Sequence, residues 1–561
     1  MNVANYIAEK LALYGVSDVF GIPGGVVLKL LYAFNENENI DIHLNFHEQA
    51  AAYAACGYAQ ASGKMGVAYA TRGPGVTNMI TPICEAYFDS LPVMFITAHA
   101  AEKNCDEMRI KDIQEMDLLS LVSGITKYSK RIDDVKEVKT ALDKAIKCAN
   151  EGRKGPVFLD FSVSVLKSEI QTDEKCEYED ENNITFNDEE IEKVKVCLEK
   201  SERPIILIGD GIRYCQNIDS INEFASKYGI PILSSRVSQD LFLASKMYYG
   251  YIGSHATRYS NFILEKADLI ISIGNRMAFQ KKSKSFGNLL SDKMIIRIDI
   301  DKYEFSREIE NAINFCMDAE SAIELLSGIS IAKGCFFDWL NVCNEIREKL
   351  WSTDIEYPVN LLLEIFNQVN GDVVIVSDVG NNELWLSRAC AFWNRKLKLL
   401  HSKSFKTVGC SLGKAIGAYY ACKKNIYCFV GDQGLQFNIQ ELQYIAQNQL
   451  PITIVLFNNK SSGLMRTDEI KSQYDYLLHT TFDDGYSSPN FKAVFDSYGI
   501  NCYEYTKEQK NQIDFHDNMP KLVELIIDNS VDVKQNLPNG NACYDFIPPL
   551  EEKLFQYLSE I

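Results

Sequence analysis

The sequence predicts an α/β protein with three consecutive doubly wound parallel-sheet domains and a C-terminal tail. Short apolar runs rich in β-branched residues recur along the chain, and helical stretches separate them. Many of these runs end in Gly, Ser, Asn or Asp, as in "RPIILIGDG" and "DVVIVSDVGNN". A chain of 561 residues is too long for one hydrophobic core. If a domain has about 150 residues, the chain should contain three or four domains.

The alternation of strands and helices sets the expected domain boundaries. The acidic, non-periodic stretch after the first unit predicts an exposed linker, and the last residues break the alternation. The predicted segments are a first domain at 1–165, an acidic linker at 166–190, a central domain at 191–335, a linker helix at 336–356, a third domain at 357–535 and a tail at 536–561.

The charge and cysteine content exclude several classes of protein. A net charge of -19 without a basic stripe argues against nucleic acid or an anionic membrane surface as a partner. The 16 cysteines are scattered without a CxxC pair, which indicates reduced thiols in a cytoplasmic protein. The N-terminus lacks an apolar signal region, and no stretch is long and apolar enough to span a membrane.

Oxygen-bearing side chains follow two neighbouring apolar runs of the third domain. Asp432 follows "IYCFVG" and Asn459 ends "ITIVLFNN", 27 positions later. Ligands bind at the carboxyl ends of parallel strands, and a buried carboxylate needs a cation or hydrogen-bond donors. These side chains and a backbone carbonyl would suit Mg²⁺, which prefers oxygen ligands. The alternative is a helix cap at Asp432 and a turn at the asparagines.

Motifs of other enzyme classes are incomplete. "GCSLGKA" has too few residues between its glycines for a phosphate-binding P-loop, and Ala415 replaces the Ser or Thr that binds Mg²⁺. "HEQAA" has Ala51 where a zinc protease needs its second His, and no GxSxG motif is present. The sequence therefore predicts neither a P-loop nucleoside triphosphatase nor a hydrolase with one of these motifs.

The stretch from Gly431 to Asn459 resembles the cofactor motif of thiamine diphosphate enzymes, with Gln433 in place of the second glycine of GDG. The resemblance extends through "VFGIPGG", "HEQAAAYAACGYAQASG", "TRGPGVTN" and "VGCSLGKAIGA". Taken together, these motifs resemble the acetolactate synthase, pyruvate oxidase and pyruvate decarboxylase superfamily, and most of all the acetolactate synthase large (catalytic) subunit. The resemblance implies an N-terminal pyrimidine-binding domain, a central domain and a C-terminal diphosphate-binding domain.

The resemblance also implies roles for individual residues. Glu48 would face the N1′ atom of the aminopyrimidine and move its proton, whereas the alternative is a surface Glu paired with a Lys. Mg²⁺ would be held by Asp432, Asn459 and Ser461. The implied cofactor-binding residues are Gly73, Pro74, Gly75, Asn381, Asn382, Val408, Gly409, Gly431, Asp432, Gln433, Gly434, Asn459, Ser461, Gly463 and Leu464. Core packing is the alternative for Val408, and a turn is the alternative for Asn381 and Asn382.

Substrate residues follow from the same resemblance. Gln114 and Lys127 resemble residues at the substrate entrance of acetolactate synthases, with solvated surface as the alternative. Arg276 and the segment around His255 resemble a site for FAD and the acceptor. Asp468 stands where acetolactate synthases carry a tryptophan, and Arg72 stands where relatives have a small residue. An acidic residue at this place favours a hydroxylated or cationic acceptor over a second keto acid.

The predicted enzyme uses thiamine diphosphate and Mg²⁺, with FAD as a possible third cofactor, to decarboxylate a 2-oxo acid. Pyruvate is the expected donor, and the product carbanion is transferred to a keto acid, an aldehyde or a keto sugar. A simple 2-oxo acid decarboxylase and a non-catalytic homologue with a regulatory role are the alternatives. The resemblance further implies a homodimer or homotetramer whose active sites lie between subunits.

Overall fold

A computed structural model of the chain describes residues 1–100, 113–171, 187–277, 290–506, 510–538 and 540–561. It contains three six-stranded sheets with helices packed on them, and the strand pairs in the described part run parallel. The prediction of three α/β sheet domains is therefore confirmed. The domain boundaries stay predictions, and residues 172–186 of the expected linker lie outside the described residues.

The chain forms two compact units. The first draws its described residues from Met1–Tyr178, Val369–Glu383 and Lys398–Asp532, and it contains the N-terminal and C-terminal sheets. The second draws its described residues from Glu179–Gln368, Leu384–Leu397 and Val533–Ile561. No helix among the described residues combines the length and apolar character needed to cross a membrane.

The N-terminal sheet has the strand order β2-β1-β3-β4-β6-β5. Its strands are β1 (Asp18–Gly21), β2 (Asp41–Leu44), β3 (Gly66–Tyr69), β4 (Val93–His99), β5 (Tyr128–Ile132) and β6 (Val157–Ser162). Its helices are α1 (Val3–Leu13), α2 (Leu28–Glu36), α3 (Glu48–Ser62), α4 (Pro74–Asn78), α5 (Ile80–Phe88), α6 (Leu118–Val122), α7 (Val135–Asn150) and α8 (Val163–Lys167). The central strands β3, β4 and β6 are buried throughout, which explains their continuous apolar runs.

The central sheet has the strand order β12-β11-β10-β7-β8-β9. Its strands are β7 (Pro204–Ile208), β8 (Ile232–Ser235), β9 (Tyr248–Ile252), β10 (Leu269–Ile273), β11 (Met294–Asp299) and β12 (Ala312–Cys316). The helices of this part of the chain are α9 (Asp188–Lys200), α10 (Asp219–Tyr228), α11 (Arg258–Lys266), α12 (Ala319–Gly328) and α13 (Phe337–Leu350).

The C-terminal sheet has the strand order β14-β13-β15-β16-β18-β17. Its strands are β13 (Val373–Ser377), β14 (Leu397–His401), β15 (Ile426–Gly431), β16 (Ile452–Asn458), β17 (Asn501–Glu504) and β18 (Lys521–Ile526). The remaining helices are α14 (Tyr357–Phe366), α15 (Asn381–Trp393), α16 (Ser411–Cys422), α17 (Asp432–Phe437), α18 (Leu442–Gln447), α19 (Gly463–Lys471), α20 (Phe491–Ser497) and α21 (Glu552–Glu560).

Glycines allow helices α3 and α16 to pack at backbone contact inside the first unit. A Cβ atom added to Gly417 would collide with the carbonyl oxygen of Ala54, and one added to Gly57 would collide with that of Lys414. Buried apolar residues of both helices continue into one hydrophobic core. Because Glu48 begins α3 and Gly409 comes just before α16, this packing brings the N-terminal ends of the two helices together.

Candidate active site

The strand order of the C-terminal sheet places a ligand crevice between β13 and β15. The chain leaves β13 for β14 on one side, whereas β15 continues to β16 on the other, so the two strands form a topological switch point. Asp378 directly follows β13, and Asp432 directly follows β15. Both carboxylates therefore lie where open parallel sheets bind their ligands.

Asp432 is a buried carboxylate with unused bonding capacity. The residue is 2% exposed, and its Oδ1 accepts the backbone N–H of Gln433 at 3.0 Å. Oδ2 has no hydrogen-bond partner among the described residues. Burial raises the pKa of Asp432 to about 6. A cation at this place would offset the desolvation of the carboxylate.

The donor set around Asp432 fits Mg²⁺ better than a soft metal. Nowhere in the described part of the chain do three His, Cys, Asp or Glu side chains cluster as metal ligands. Amide and carbonyl oxygens must therefore complete the set, which Mg²⁺ accepts. The Ser461 hydroxyl donates to the carbonyl of Thr480 at 2.7 Å and keeps its lone pairs, so this hydroxyl and the Ser461 backbone carbonyl are both candidate ligands.

Asn381 and Asn459 converge on Gly463 at the beginning of α19. A Cβ atom on Gly463 would lie 2.9 Å from Nδ2 of Asn459 and 3.0 Å from Nδ2 of Asn381. The Asn381 amide nitrogen is buried without a hydrogen-bond partner in the described ranges. Such a donor beside a free helix N-terminus suits an anionic group. These residues therefore fit the diphosphate of the predicted cofactor.

The motif glycines and Asn382 line the same crevice. The Asn382 amide donates to the carbonyl of Asp378 at 2.9 Å. A Cβ atom on Gly431 would lie 3.6 Å from Oδ1 of Asn382, and one on Gly434 would lie 3.0 Å from Oδ1 of Asp378. The structure thus brings these predicted cofactor residues together around the switch point.

Gln433, the departure from the family motif, joins the two halves of that motif. Its side-chain oxygen accepts a hydrogen bond from the Ser462 hydroxyl at 3.1 Å. A glycine could not make this contact. The larger residue therefore connects α17 to the segment after β16 instead of disrupting the loop.

Asp378 organises the loop that contains Val408 and Gly409, and the sequence analysis missed it. Its fully buried carboxylate accepts the backbone N–H groups of Gly409 at 2.8 Å and Ser411 at 3.1 Å. Burial raises the pKa of Asp378. The signal was available, since Asp378 ends its apolar run as Asp432 ends the next one.

Val408 and Gly409 lie at the rim of the crevice. Val408 is 37% exposed, so core packing does not explain it. Gly409 has φ +86°, and a Cβ atom there would collide with Cβ of Phe437. Only glycine can adopt this positive φ angle and also lie this close to Phe437 without strain. The Asn438 amide donates to the Gly409 carbonyl at 2.8 Å and to Oε1 of Gln49 at 3.3 Å.

Glu48 is the first residue of α3 and is half-buried. Its Oε2 accepts a hydrogen bond from the Asn78 amide at 3.0 Å. A Cβ atom on Gly75 would lie 3.5 Å from Oε1, so the "GPG" segment with Gly73 and Pro74 passes beside the carboxyl group. Because Gln49 bonds Asn438, which also bonds Gly409, the Glu48 helix and the cofactor loop are connected within one chain.

Gln114 lies beside this segment, whereas Lys127 does not. A Cβ atom on Gly73 would collide with the Gln114 carbonyl, and Gln114 itself has φ +62°. Lys127 precedes β5, at the amino edge of the sheet, and its Nζ donates to the Glu151 carbonyl at 2.7 Å. Burial lowers the pKa of Lys127. Lys127 therefore lies away from the carboxyl edge, and its role at the substrate entrance stays a prediction.

Arg72 is neutralised within the protein. The residue is 8% exposed, and its Nη1 pairs with Oε2 of Glu115 at 3.1 Å. Arg131 approaches the other oxygen of Glu115 at 3.8 Å. Because Glu115 shares its charge with two guanidinium groups, Arg72 contributes to a buried charge cluster beside the "GPG" segment.

Helix α19 presents two predicted residues at its surface. Leu464 is 39% exposed and lies in the first turn of the helix. Asp468 is exposed one turn later. Both follow the Asn459 loop in the chain, and their role at the wall of the site stays a prediction.

His255 and Arg276 belong to the second unit. The His255 ring bonds the Ser254 hydroxyl at 3.0 Å. Arg276 follows β10, is 43% exposed on its side chain and pairs with Glu304 at 2.6 Å. The continuation after Met277, residues 278–289, lies outside the described residues.

Comparison with known families covers all three sheets. Residues 1–121 match the thiamine pyrophosphate enzyme N-terminal TPP binding domain. Residues 191–326 match the central domain of these enzymes, and residues 378–524 match their C-terminal TPP binding domain. The chain belongs to the thiamine pyrophosphate enzyme family.

Within this family the chain is similar to acetolactate synthase large subunits. That of Lactococcus lactis subsp. lactis (strain IL1403) is 30% identical over 95% of this chain and 94% of the relative. The isozyme 2 large subunit of Escherichia coli (strain K12) is 29% identical over 98% and 100%. A probable large subunit of Methanocaldococcus jannaschii is 28% identical over 98% and 96%. The chain is thus an acetolactate synthase-like enzyme that depends on thiamine diphosphate for decarboxylation and carboligation.

Proposed function

We propose that the chain binds Mg²⁺ together with thiamine diphosphate, decarboxylates pyruvate and joins the remaining two-carbon unit to a carbonyl acceptor. The observation that carries this proposal is the buried Asp432 carboxylate with an unpartnered Oδ2 at the switch point. The amide nitrogens of Asn381 and Asn459 lie together beside Gly463 at the beginning of α19, and such donors suit the diphosphate of a magnesium diphosphate group.

Different residues would bind the cation, bind the diphosphate and transfer the proton. Asp432, the Asn459 side chain and an oxygen atom of Ser461 would hold the cation, while Asn381 would bind the diphosphate. When bound, thiamine diphosphate supplies a nucleophilic carbon and takes up the electron pair that CO₂ leaves behind. Glu48 would hold and move a proton at the N1′ atom, with Asn78 fixing its carboxyl group.

Proton exchange at the thiazolium C2 atom tests the role of Glu48. Glu48→Gln should reduce the exchange rate by a factor of about 10² to 10⁴ while thiamine diphosphate still binds. Glu9→Gln, which changes an exposed carboxylate in the same unit, should exchange at the wild-type rate. An unchanged rate in Glu48→Gln would assign the proton transfer to another group.

For the acceptor, we propose an aldehyde or keto sugar. The exposed Asp468 supports this choice, because a carboxylate at the wall repels a second 2-oxo acid and can bond hydroxyl groups. CO₂ release from pyruvate, measured alone and with each acceptor, tests the proposal. Release that rises with one acceptor supports a carboligase, whereas acceptor-independent release indicates a simple decarboxylase. No release with any 2-oxo acid would favour a non-catalytic homologue.

We propose FAD as a further cofactor of the central domain. Its sheet has a switch point between β7 and β10, where Gly209 and Gly211 meet Gly274. The two loops bond each other through the Gly211 N–H and the Gly274 carbonyl at 3.1 Å. The exposed Arg276 beside this point could reach a nucleotide. The visible spectrum of the protein after flavin supplementation tests the proposal, and the absence of bound flavin would reject it.

Self-association and a cytoplasmic location are also proposed. Large apolar side chains stay exposed around the Asn459 loop, among them Tyr474, Tyr476 and Phe482 at 66% to 73%. A homodimer or homotetramer would cover such side chains. The cysteines among the described residues are free thiols, in agreement with a reducing compartment. Light scattering at several protein concentrations tests the assembly, and a monomer at all of them would reject it.

A further inference from the structure

Two buried oxygen atoms lie beside each other at the carboxyl end of β15. They are Oδ2 of Asp432 and the hydroxyl of Tyr486, whose residues are 2% and 8% exposed. Apart from each other, the two atoms have no hydrogen-bond partner within the described ranges. A tyrosine hydroxyl can donate a hydrogen bond, whereas an ionised carboxylate can only accept one. A buried polar atom with unused bonding capacity destabilises the protein, which indicates that a ligand completes this place.

The loop that carries Tyr486 is hydrogen-bonded to Ser461 and Ser462, which follow the predicted magnesium ligand Asn459. The Thr480 carbonyl accepts the Ser461 hydroxyl at 2.7 Å and the Ser462 backbone N–H at 2.9 Å. The Tyr486 backbone N–H donates to the Thr481 carbonyl at 2.9 Å. Tyr486 is therefore held at a defined distance from the residues after Asn459.

A capping box and a glycine with a positive φ angle fix the conformation of this loop. Thr481 and Asp484 form a reciprocal capping box around a short helical turn, Phe482–Asp484. Gly485 follows with φ +106°, a backbone conformation that glycine adopts readily. The turn directs the chain so that the next side chain, Tyr486, enters the crevice and stays buried.

From this geometry we propose that Tyr486 is a positioning residue of the magnesium site. Its hydroxyl donates a hydrogen bond to the Asp432 carboxylate when that carboxylate holds the cation, and so fixes the orientation of the ligand. The inference rests on the proposed function, because it requires that Asp432 binds Mg²⁺ with thiamine diphosphate. It adds a residue from outside the two halves of the cofactor motif.

The test compares the Mg²⁺ requirement for thiamine diphosphate binding in the wild-type protein and in Tyr486→Phe. Binding is measured by calorimetry at increasing Mg²⁺ concentrations, and the melting temperature of the cofactor-free protein is recorded beside it. We expect the Mg²⁺ concentration for half-maximal binding to rise about tenfold, since outer-sphere partners of metal ligands contribute at least that much. The melting temperature of the cofactor-free protein should change little, because no described group other than Asp432 bonds the lost hydroxyl.

Tyr427→Phe is the matched control. Tyr427 is 5% exposed in the same sheet, and its hydroxyl donates to the Phe515 carbonyl at 2.9 Å, near the amino end of β15. This variant should keep the wild-type Mg²⁺ requirement. An unchanged requirement in Tyr486→Phe, with or without a lower melting temperature, would overturn the inference. If the wild-type protein binds thiamine diphosphate without Mg²⁺ or not at all, the proposed function fails instead, and the inference fails with it.

Discussion

The Glu441 carboxylate accepts a hydrogen bond from the backbone N–H of Phe46 at 3.0 Å, although 395 residues separate the two in the chain. Its other oxygen accepts the Asn45 amide at 3.0 Å. Phe46 lies two residues before Glu48, and Glu441 follows the Asp432 helix. This buried carboxylate therefore fixes the position of the predicted proton-transfer residue relative to the cofactor loop.

The stability of the protein should depend on pH through Glu441. Burial raises the pKa of Glu441 to about 7 from an ordinary value of 4.5. Between these pH values the unfolded chain releases the proton and the folded protein keeps it, so the free energy of unfolding falls as pH rises. The difference between the two pKa values of Glu441 corresponds to a decrease in the free energy of unfolding on the order of 3 kcal/mol.

Melting temperatures from about pH 5 to about pH 8 measure this effect. Glu441→Gln removes the titrating group, so the wild-type protein should lose stability relative to this variant as pH rises. Glu9→Gln, which changes an exposed carboxylate, should follow the wild-type profile. Parallel profiles for the wild-type protein and Glu441→Gln would show that Glu441 does not titrate in this range.

Asp432→Asn should have opposite effects on the free and the loaded protein. Without cofactor, above about pH 6, the variant should be more stable by about 1–3 kcal/mol because a buried, unpaired charge is removed. With thiamine diphosphate, it should need at least about tenfold more Mg²⁺, because an amide replaces the anionic ligand. Thermal denaturation and cofactor binding measure the two effects.

The exposed Asp483 provides the control for this variant. Asp483→Asn should change neither the melting temperature nor the Mg²⁺ requirement. Retention of thiamine diphosphate by Asp432→Asn in the presence of a chelator would contradict the assignment of Asp432 as a metal ligand. A less stable cofactor-free variant would contradict the idea that the buried charge is unpaired.

Gly417→Ala should separate the helices that connect the two halves of the site. The added Cβ atom would collide with the Ala54 carbonyl, so α3 and α16 must move apart. We expect a loss of about 1–3 kcal/mol in stability and weaker thiamine diphosphate binding.

Gly328→Ala on α12 is the control, since its Cβ atom would meet only Ile191 at an ordinary 3.7 Å. Alanine favours helix formation there, so stability should stay equal or increase. Differential scanning calorimetry and cofactor titration of both variants provide the comparison. Equal melting temperatures for the two variants would mean that the α3 and α16 contact is looser than the structure shows.

The apolar runs of the sequence predicted three parallel sheets correctly because buried strands leave a local signal. The same signal indicated Asp432 and Asn459, which directly follow two such strands. Glu441 was missed because its role depends on Phe46, and no local pattern connects positions so far apart. Lys127 was predicted from a resemblance in sequence, but the strand register puts it at the amino edge of the sheet.

The choice of acceptor should depend on the charge of Asp468. This side chain is exposed on α19, one turn after Leu464, so it can meet an incoming substrate. Asp468→Asn keeps the size of the side chain and removes its charge. Repulsion of an anionic acceptor should then decrease, and a change of about 1.4 kcal/mol corresponds to a factor of ten.

Carboligation with pyruvate and with acetaldehyde as alternative acceptors measures this effect. In Asp468→Asn, the ratio of kcat/KM for pyruvate to that for acetaldehyde should rise by up to about tenfold, because only pyruvate carries a charge. Asp475→Asn changes an exposed carboxylate seven residues later and should leave the ratio unchanged. An equal ratio in Asp468→Asn and the wild-type protein would show that Asp468 does not face the acceptor. The proposed preference for an uncharged acceptor would then lose its support.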